Sequence, residues 1–318
     1  CAASFCLKPA LSESRRPPTS DPTAAAQPAT SARSLSPDRP LGVLDSGVGG
    51  LSVLIHLRRQ LPAERVLYFA DQGHIPYGPR PAGEIQTYTA EITRFLLRHG
   101  AKLIVVACNT ATAAALDFLR SAFPDVQFIG MEPAVKPAAL TTRSGKVGVL
   151  ATPSTLNSHR YAGLMARFAN GIRVFEDPCS GLVQLIEAGA LAAPETRALL
   201  ERVVAPMLAE GVDTLVLGCT HYPFIRPLLE EIIGDGITVI DPAPAVARRT
   251  RFVLQQQRLA APEAQEGALR CFTSGDPRQL EAFATRVLHA PCAAEAVQWH
   301  NDILTTAPGA TGSKATRP

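Results

Sequence analysis

The sequence predicts an α/β fold of two similar halves, each built on a mainly parallel sheet. The halves are related by a pseudo-twofold duplication, and the active site is expected in the cleft between them. Three observations lead there. Eight short apolar, β-branched runs punctuate the 318-residue chain, several passing straight into helical patterns. Near-continuous apolar runs alternating with helices mark parallel strands covered on both faces. The runs also fall into two sets of four, whose starts lie 105, 107, 111 and 111 residues apart in the same order. Local identities travel with the offset: GVL at 42–44 and 148–150, Phe69-x-Asp71 and Phe175-x-Asp177, and Pro-Ala-Val at 133–135 and 244–246. Their shared order makes duplication a better explanation than chance.

In chain order the first set is LGVLD (41–45), RVLYFAD (65–71), KLIVVAC (102–108) and VQFIGME (126–132). The second is KVGVLAT (146–152), IRVFEDP (172–178), DTLVLGC (213–219) and ITVIDPA (237–243). Helices follow four of the runs, each with an apolar stripe for the core. The stripes are Leu51, Leu54 and Ile55; Ala115, Phe118, Leu119 and Ala122; Tyr161, Leu164, Met165 and Phe168; and Ile225, Leu228, Leu229 and Ile232. The segment 248–304 holds a helical RFVLQQQRL, a short run RCFTS and a helix near 277–288, and is expected to return onto the first half. The predicted organisation is therefore a disordered tail at 1–39, a first α/β domain from 40–140 with 241–304, a second from 141–240, and a tail at 305–318. Two halves of this kind leave a cleft in which ligands bind.

Charge and composition narrow the function. The formal charge of +3 belongs to the tails: residues 40–304 carry 24 basic and 25 acidic side chains. A nucleic-acid enzyme needs a basic footprint on its folded part, and none is visible. No apolar stretch approaches the 18 or so residues that span a bilayer, and CAASFCL is too short for the core of a secretory signal. Seven cysteines (Cys1, Cys6, Cys108, Cys179, Cys219, Cys271 and Cys292) show no C-x-x-C and no close spacing with histidine. Neither a structural zinc site nor a disulfide scaffold is expected, and reduced thiols in a cytoplasmic protein fit best.

Two of those cysteines stand apart. Cys108 and Cys219 occupy equivalent positions of the repeat, each ending an apolar run and each followed by a hydroxyl-rich turn and a helix, in VVACNTATAA and VLGCTHYPFI. That is the carboxyl edge of a parallel strand, where α/β folds bind ligands. A helix N-terminus beside a thiol is expected to lower its pKa from about 8.5. A lone cysteine there would be ordinary core; an equivalent pair facing a cleft suits a two-base reaction. One thiolate removes a proton from Cα while a thiol returns one on the opposite face, the roles exchanging with direction. Such chemistry needs no cofactor. Pyridoxal phosphate would need a Schiff-base lysine, and residues 40–304 offer only Lys102, Lys136 and Lys146. Lys102 and Lys146 start strands, away from the predicted cleft.

The loop DSGVGG (45–50) matches no phosphate-binding pattern. It leaves Asp45 and Ser46 at the strand edge, with glycines that let the backbone come close to a ligand. Asp45 equally suits a helix cap. His221 either satisfies a loop carbonyl or hands protons to Cys219. HIPYGPR (74–80) reads as a turn-rich loop bearing on the cleft.

DSGVGGLSV, Phe69-Ala70-Asp71, PYGP (76–79), ACNTATA, LIE (185–187) and GCTHYP together resemble the signature segments of bacterial glutamate racemases. That family lies in the cofactor-independent aspartate/glutamate racemase superfamily. The resemblance runs from about residue 41 to about 290, in the family's order. It implies interconversion of L- and D-glutamate, supply of D-glutamate for peptidoglycan, and a homodimer, with no metal, nucleic acid or membrane involved. By motif position Cys108 and Cys219 are the acid/bases, Asp45 and His221 assist them, and Glu187 is a further catalytic acid. Substrate contacts fall on Asp45, Ser46, Tyr77, Gly78, Asn109, Thr110, Thr220 and His221. Asp71 matches another acidic position considered functional there, while Gln72 and His74 stand where the family varies and receive no role. The alternatives are a racemase for aspartate or another acidic amino acid, and a non-catalytic binding or regulatory homologue.

Overall fold

Each of the eight runs becomes a parallel strand of three to five residues in the computed structural model, which describes residues 35–306. Leu41–Asp45 (β1), Val66–Ala70 (β2), Leu103–Val106 (β3) and Phe128–Gly130 (β4) lie in the order β2-β1-β3-β4. Lys146–Leu150 (β5), Arg173–Asp177 (β6), Thr214–Leu217 (β7) and Thr238–Ile240 (β8) repeat that order as β6-β5-β7-β8. The offset in sequence is thus an offset between two sheets of matching topology.

The repeated GVL has a packing reason. A Cβ on Gly42 would lie 2.6 Å from Ile104 Cδ1, and one on Gly148 would collide with Leu215. Ile104 and Leu215 are themselves 111 residues apart, so the same glycine meets the same neighbouring strand in both halves.

Leu269–Thr273 (β9) pairs in parallel with β2 and returns the chain to the first sheet. Ala294–His300 (β10) and Ile303–Thr306 (β11) then extend this sheet to seven strands. That hairpin was not expected, and β11 runs across the boundary placed before residue 305. Its signal is the Asn301-Asp302 pair: both residues have positive φ (46° and 61°) in a two-residue connection, the conformation that suits a twisted hairpin. Cys1, Cys6, residues 1–34 and residues 307–318 of the expected tails lie outside the described residues.

Burial follows the pleat. Leu41, Val43, Leu103 and Val105 join Leu215 and Leu217 in one central apolar cluster shared by the two halves. Leu44, Ile104 and Val106 face a second cluster across the first sheet, and Val147, Val149 and Val216 a third across the second. At about 1.5–3 kcal/mol per fully buried aliphatic side chain, this burial holds the strand ends in place. Two expected core positions of one stripe depart: Phe118 is 40% exposed and Ala122 is also exposed. Among the described residues no helix is long and apolar enough to cross a membrane.

Candidate active site

Parallel pairing brings the carboxyl ends of β1, β3, β5 and β7 to one edge of each sheet, and the chemistry-bearing residues follow directly. Beyond β3, Cys108 caps the helix Asn109–Ala122, its Sγ accepting the Ala111 N–H at 3.4 Å. The Cys108 thiol also points at Ser46 Oγ, 3.7 Å away. Beyond β7, Cys219 Sγ lies 3.7 Å from His221 Nδ1. Both cysteines line one cavity of about 230 Å³, with Ser46, Tyr77, Gly78, Thr110 and His221. That is below the roughly 300–1,000 Å³ usual for drug-sized ligands and suits a small molecule.

The two thiols sit in different surroundings. Burial, with the nearby Asp45 carboxylate adding to it, pushes Cys108 up to about 12, against the pull of the Ala111 and Ser46 hydrogen bonds. The helix N-terminus was expected to lower this thiol. It does act in that direction, but desolvation is the larger effect. Cys219 instead faces a chain of polar groups. His221 Nε2 lies 2.6 Å from Glu187 Oε1. Burial disfavours charge on His221, yet its bonds to Cys219 and Glu187 outweigh that and hold it well above the ordinary histidine value. Glu187 is the counterpart. Burial would raise it, but His221, Gln72 and the Val48 N–H hold it below the usual carboxylate range. The carboxylate and the sulfur on either side of the ring thus both favour the protonated form of His221.

Glu187 ends the short helix Leu182–Glu187 and also accepts from Val48 N at 2.7 Å and from Gln72 Nε2 at 3.0 Å. The glycines of the DSGVGG loop make this meeting possible. A Cβ on Gly49 would collide with the His221 ring, and one on Gly47 with Glu187 Oε1. They were expected to admit a ligand; what Gly47 and Gly49 admit is Glu187 and His221 of the other half.

Asp45 is buried, its Oδ1 accepting from Gly47 N at 2.9 Å and its Oδ2 from Thr220 Oγ1 at 3.0 Å. Burial raises its carboxyl despite the neighbouring His221 charge. Asp45, Thr220 and Glu187 thus stand behind the cavity wall rather than in it. Asn109 is also set back: its Nδ2 donates weakly to Met131 O at 3.4 Å, and its buried Oδ1 has no partner. Thr110 does reach the cavity, its Oγ1 2.8 Å from Thr152 Oγ1.

Tyr77 is fixed from below. Its hydroxyl donates to Asp71 Oδ2 at 2.6 Å. Ser274 Oγ (2.6 Å) and Trp299 Nε1 (2.8 Å) donate to Asp71 Oδ1. His74 bonds the same carboxylate and stacks on Tyr88 with ring centres 3.9 Å apart.

Several contributors were not picked out in the sequence. Gln72 bridges Glu187 and Thr273, and Thr152, Cys179, Gln184 and Tyr222 complete the cavity. The repeat itself was the available signal. The GVL offset places Thr152 opposite Ser46, and Phe175-x-Asp177 leads into the wall at Cys179 as Phe69-x-Asp71 leads into Gln72. Of the lysines, Lys102 forms a buried pair with Glu64 at 2.7 Å, and Lys146 Nζ bonds Glu210 O. Among the described residues no group of three or more His, Cys, Asp or Glu side chains is placed to hold a metal.

Known proteins resemble this chain over most of its length. The model of the Asp/Glu/hydantoin racemase family matches residues 41–250. Glutamate racemase of Ectopseudomonas mendocina (strain ymp) is 54% identical over 249 residues, 78% of this chain and 94% of that protein. The glutamate racemase of Francisella tularensis, solved with D-glutamate, superposes with a TM-score of 0.72 at 30% identity, covering 82% of this chain and 98% of that one. The Escherichia coli glutamate racemase, solved with L-glutamate and the activator UDP-MurNAc-ala, gives 0.72 at 33% identity, again over 82% and 98%. Duplicated sheets, paired strand-end cysteines and these matches lead to one assignment: the chain belongs to the Asp/Glu/hydantoin racemase family, among its glutamate racemases.

Proposed function

We propose that Cys108 and Cys219 interconvert L- and D-glutamate in this chain by proton transfer at opposite faces of Cα. The observation that carries the reading is the pair of unlike thiols lining one small cavity. Cys108 is held protonated by burial, and Cys219 lies against an imidazole whose neighbours favour its protonated form. In one direction the sulfur of Cys219, with the His221 charge beside it, takes the Cα proton. The Cys108 thiol then gives its own proton to the other face, inverting the centre. In the reverse direction Cys108 is the base and Cys219 the acid.

Asp45 acts on Cys108 through its charge, and Glu187 acts on Cys219 through His221. Ser46, Tyr77, Gly78 and Thr110 hold the carboxylates and ammonium of the substrate in the cavity. Asn109 and Thr220 stand behind the wall and support this contact set from there, Thr220 through its bond to Asp45 and Asn109 through Met131. The substrate lies between the halves 40–140 with 241–304 and 141–240. The product D-glutamate serves peptidoglycan synthesis, and a cytoplasmic homodimer completes the reading.

The test is racemisation of L-glutamate in D2O with no added cofactor, with aspartate as the control substrate. D-glutamate carrying deuterium at Cα is expected, and loss of turnover in both Cys108→Ala and Cys219→Ala. Racemisation that survives in both variants would sink the assignment.

A further inference from the structure

Five cysteines lie among the described residues, and three of them, Cys108, Cys179 and Cys219, line the catalytic cavity. The other two meet elsewhere: Cys271 Sγ lies 3.1 Å from Cys292 Sγ. Cys271 sits on β9, buried, opposite Tyr68 of β2 and Ala294 of β10. Cys292 stands in the turn between the helix Pro277–Leu288 and β10 and is only partly buried. Its surroundings hold it in place: its N–H donates to Thr285 Oγ1 at 3.3 Å, and Ala294 N–H to Glu281 Oε1 at 2.9 Å. A covalent S–S bond of about 2.05 Å needs the sulfurs to close by roughly 1 Å, a side-chain adjustment in a turn rather than a shift of strands.

We propose that Cys271 and Cys292 are a reversible redox pair whose disulfide staples the β9–helix–β10 unit while the catalytic thiols stay reduced. A low-molecular-weight disulfide such as glutathione disulfide is the oxidant. The Cys292 thiolate attacks it, forming a mixed disulfide and expelling one glutathione thiolate. Cys271 then loses its proton to solvent base, and its sulfur attacks Cys292 Sγ and expels the second glutathione. Two protein thiols are oxidised, and one small disulfide is reduced to two thiols. Accessibility orders the sites. Of the five described cysteines Cys292 alone is not buried. A hydrogen bond from Cys271, with Arg58 nearby, holds its thiol below the ordinary value, against burial and Glu281. The buried Cys108 is pushed the other way, which makes it slow to react.

The full-length chain, reduced and then treated with glutathione disulfide, is digested without reduction and its cysteines mapped. The expected result is a linked pair of peptides carrying Cys271 and Cys292, with no glutathione retained on either and racemase activity undiminished. Tm should rise by at least about 2 °C, and dithiothreitol should reverse both changes. Cys292→Ser should keep wild-type activity and show neither the link nor the Tm rise. Glutathione retained on Cys292, a link from Cys292 to a different cysteine, both thiols still open to alkylation, or activity lost in step with the cross-link would each overturn the proposal.

Discussion

The imidazole of His221 is anchored by Glu187, with Nε2 2.6 Å from Oε1, and this leaves Nδ1 facing the sulfur of Cys219. The carboxylate thus favours the protonated ring and aims it. In Glu187→Gln the His221 pKa should fall, since one of the two partners that raise it loses its charge while the Cys219 contact remains. NMR titration of the ring would follow it. Turnover should drop by about ten- to hundredfold, and the alkaline limb of the rate should move to lower pH. An unmoved His221 titration would show that Glu187 only packs against the ring.

The same pair links pH to stability. His221, raised in the folded state, contributes stability that is complete below its unfolded value near 6.5 and is lost as pH rises through the folded pKa. Glu187, depressed, contributes stability present above its unfolded value near 4.3 and lost as pH falls through the folded pKa. Denaturation midpoints of wild type across pH should therefore fall on both sides of a plateau. Glu187→Gln should flatten both limbs, and parallel curves for the two proteins would contradict the pairing.

Asp45 adds to the burial that keeps Cys108 protonated. Asp45→Asn should lower the Cys108 thiol from about 12. The readout is thiolate absorbance against pH, taken as the difference from the matching Cys108→Ala protein. A value that stays put or rises would remove Asp45 from the control of this thiol.

Gly49 stands where a Cβ would meet both the His221 ring and Thr220 Oγ1. Gly49→Ala should displace the ring from Cys219 and lower kcat by about tenfold or more, with a stability cost of about 1–3 kcal/mol. Steady-state kinetics with chemical denaturation separates the two effects. Unchanged kcat in a folded variant would mean that the loop yields without moving the imidazole.

Away from the site, Lys102 and Glu64 are an ion pair with side-chain exposures of 0% and 2%. Lys102→Met should destabilise the fold by about 3–5 kcal/mol by leaving a buried carboxylate without its cation. Adding Glu64→Leu should restore much of that. Denaturant midpoints check both, and no recovery in the double variant would point to lost packing instead.

The strands and the equivalent cysteine pair were legible in the chain for one reason. Strands covered on both faces must be apolar throughout, and a duplicated element repeats its chemistry at a fixed offset. LGVLD and KVGVL, or Cys108 and Cys219, can be matched with no knowledge of the fold. The hairpin at Ala294–Thr306 escaped because it sits at the sheet edge, outside the repeat, where its alternation is weak. Phe118 was misplaced because a helical stripe says which residues share a face, not how wide the covered face is.

The sequence by itself determined the architecture and the two thiols, since each depends on neighbours along the chain. Only the tertiary structure decided what each thiol is. Cys108 and Cys219 share the same local setting, a strand end followed by hydroxyls and a helix. Desolvation and the charge of Asp45 hold one protonated, and the other lies against a histidine that Glu187 helps to hold above its ordinary value. Those charges come from segments separated by as many as 175 residues, as in the bond from Thr220 to Asp45. Electrostatic energy depends on distance in space and on exclusion of water, neither of which is written in the order of residues.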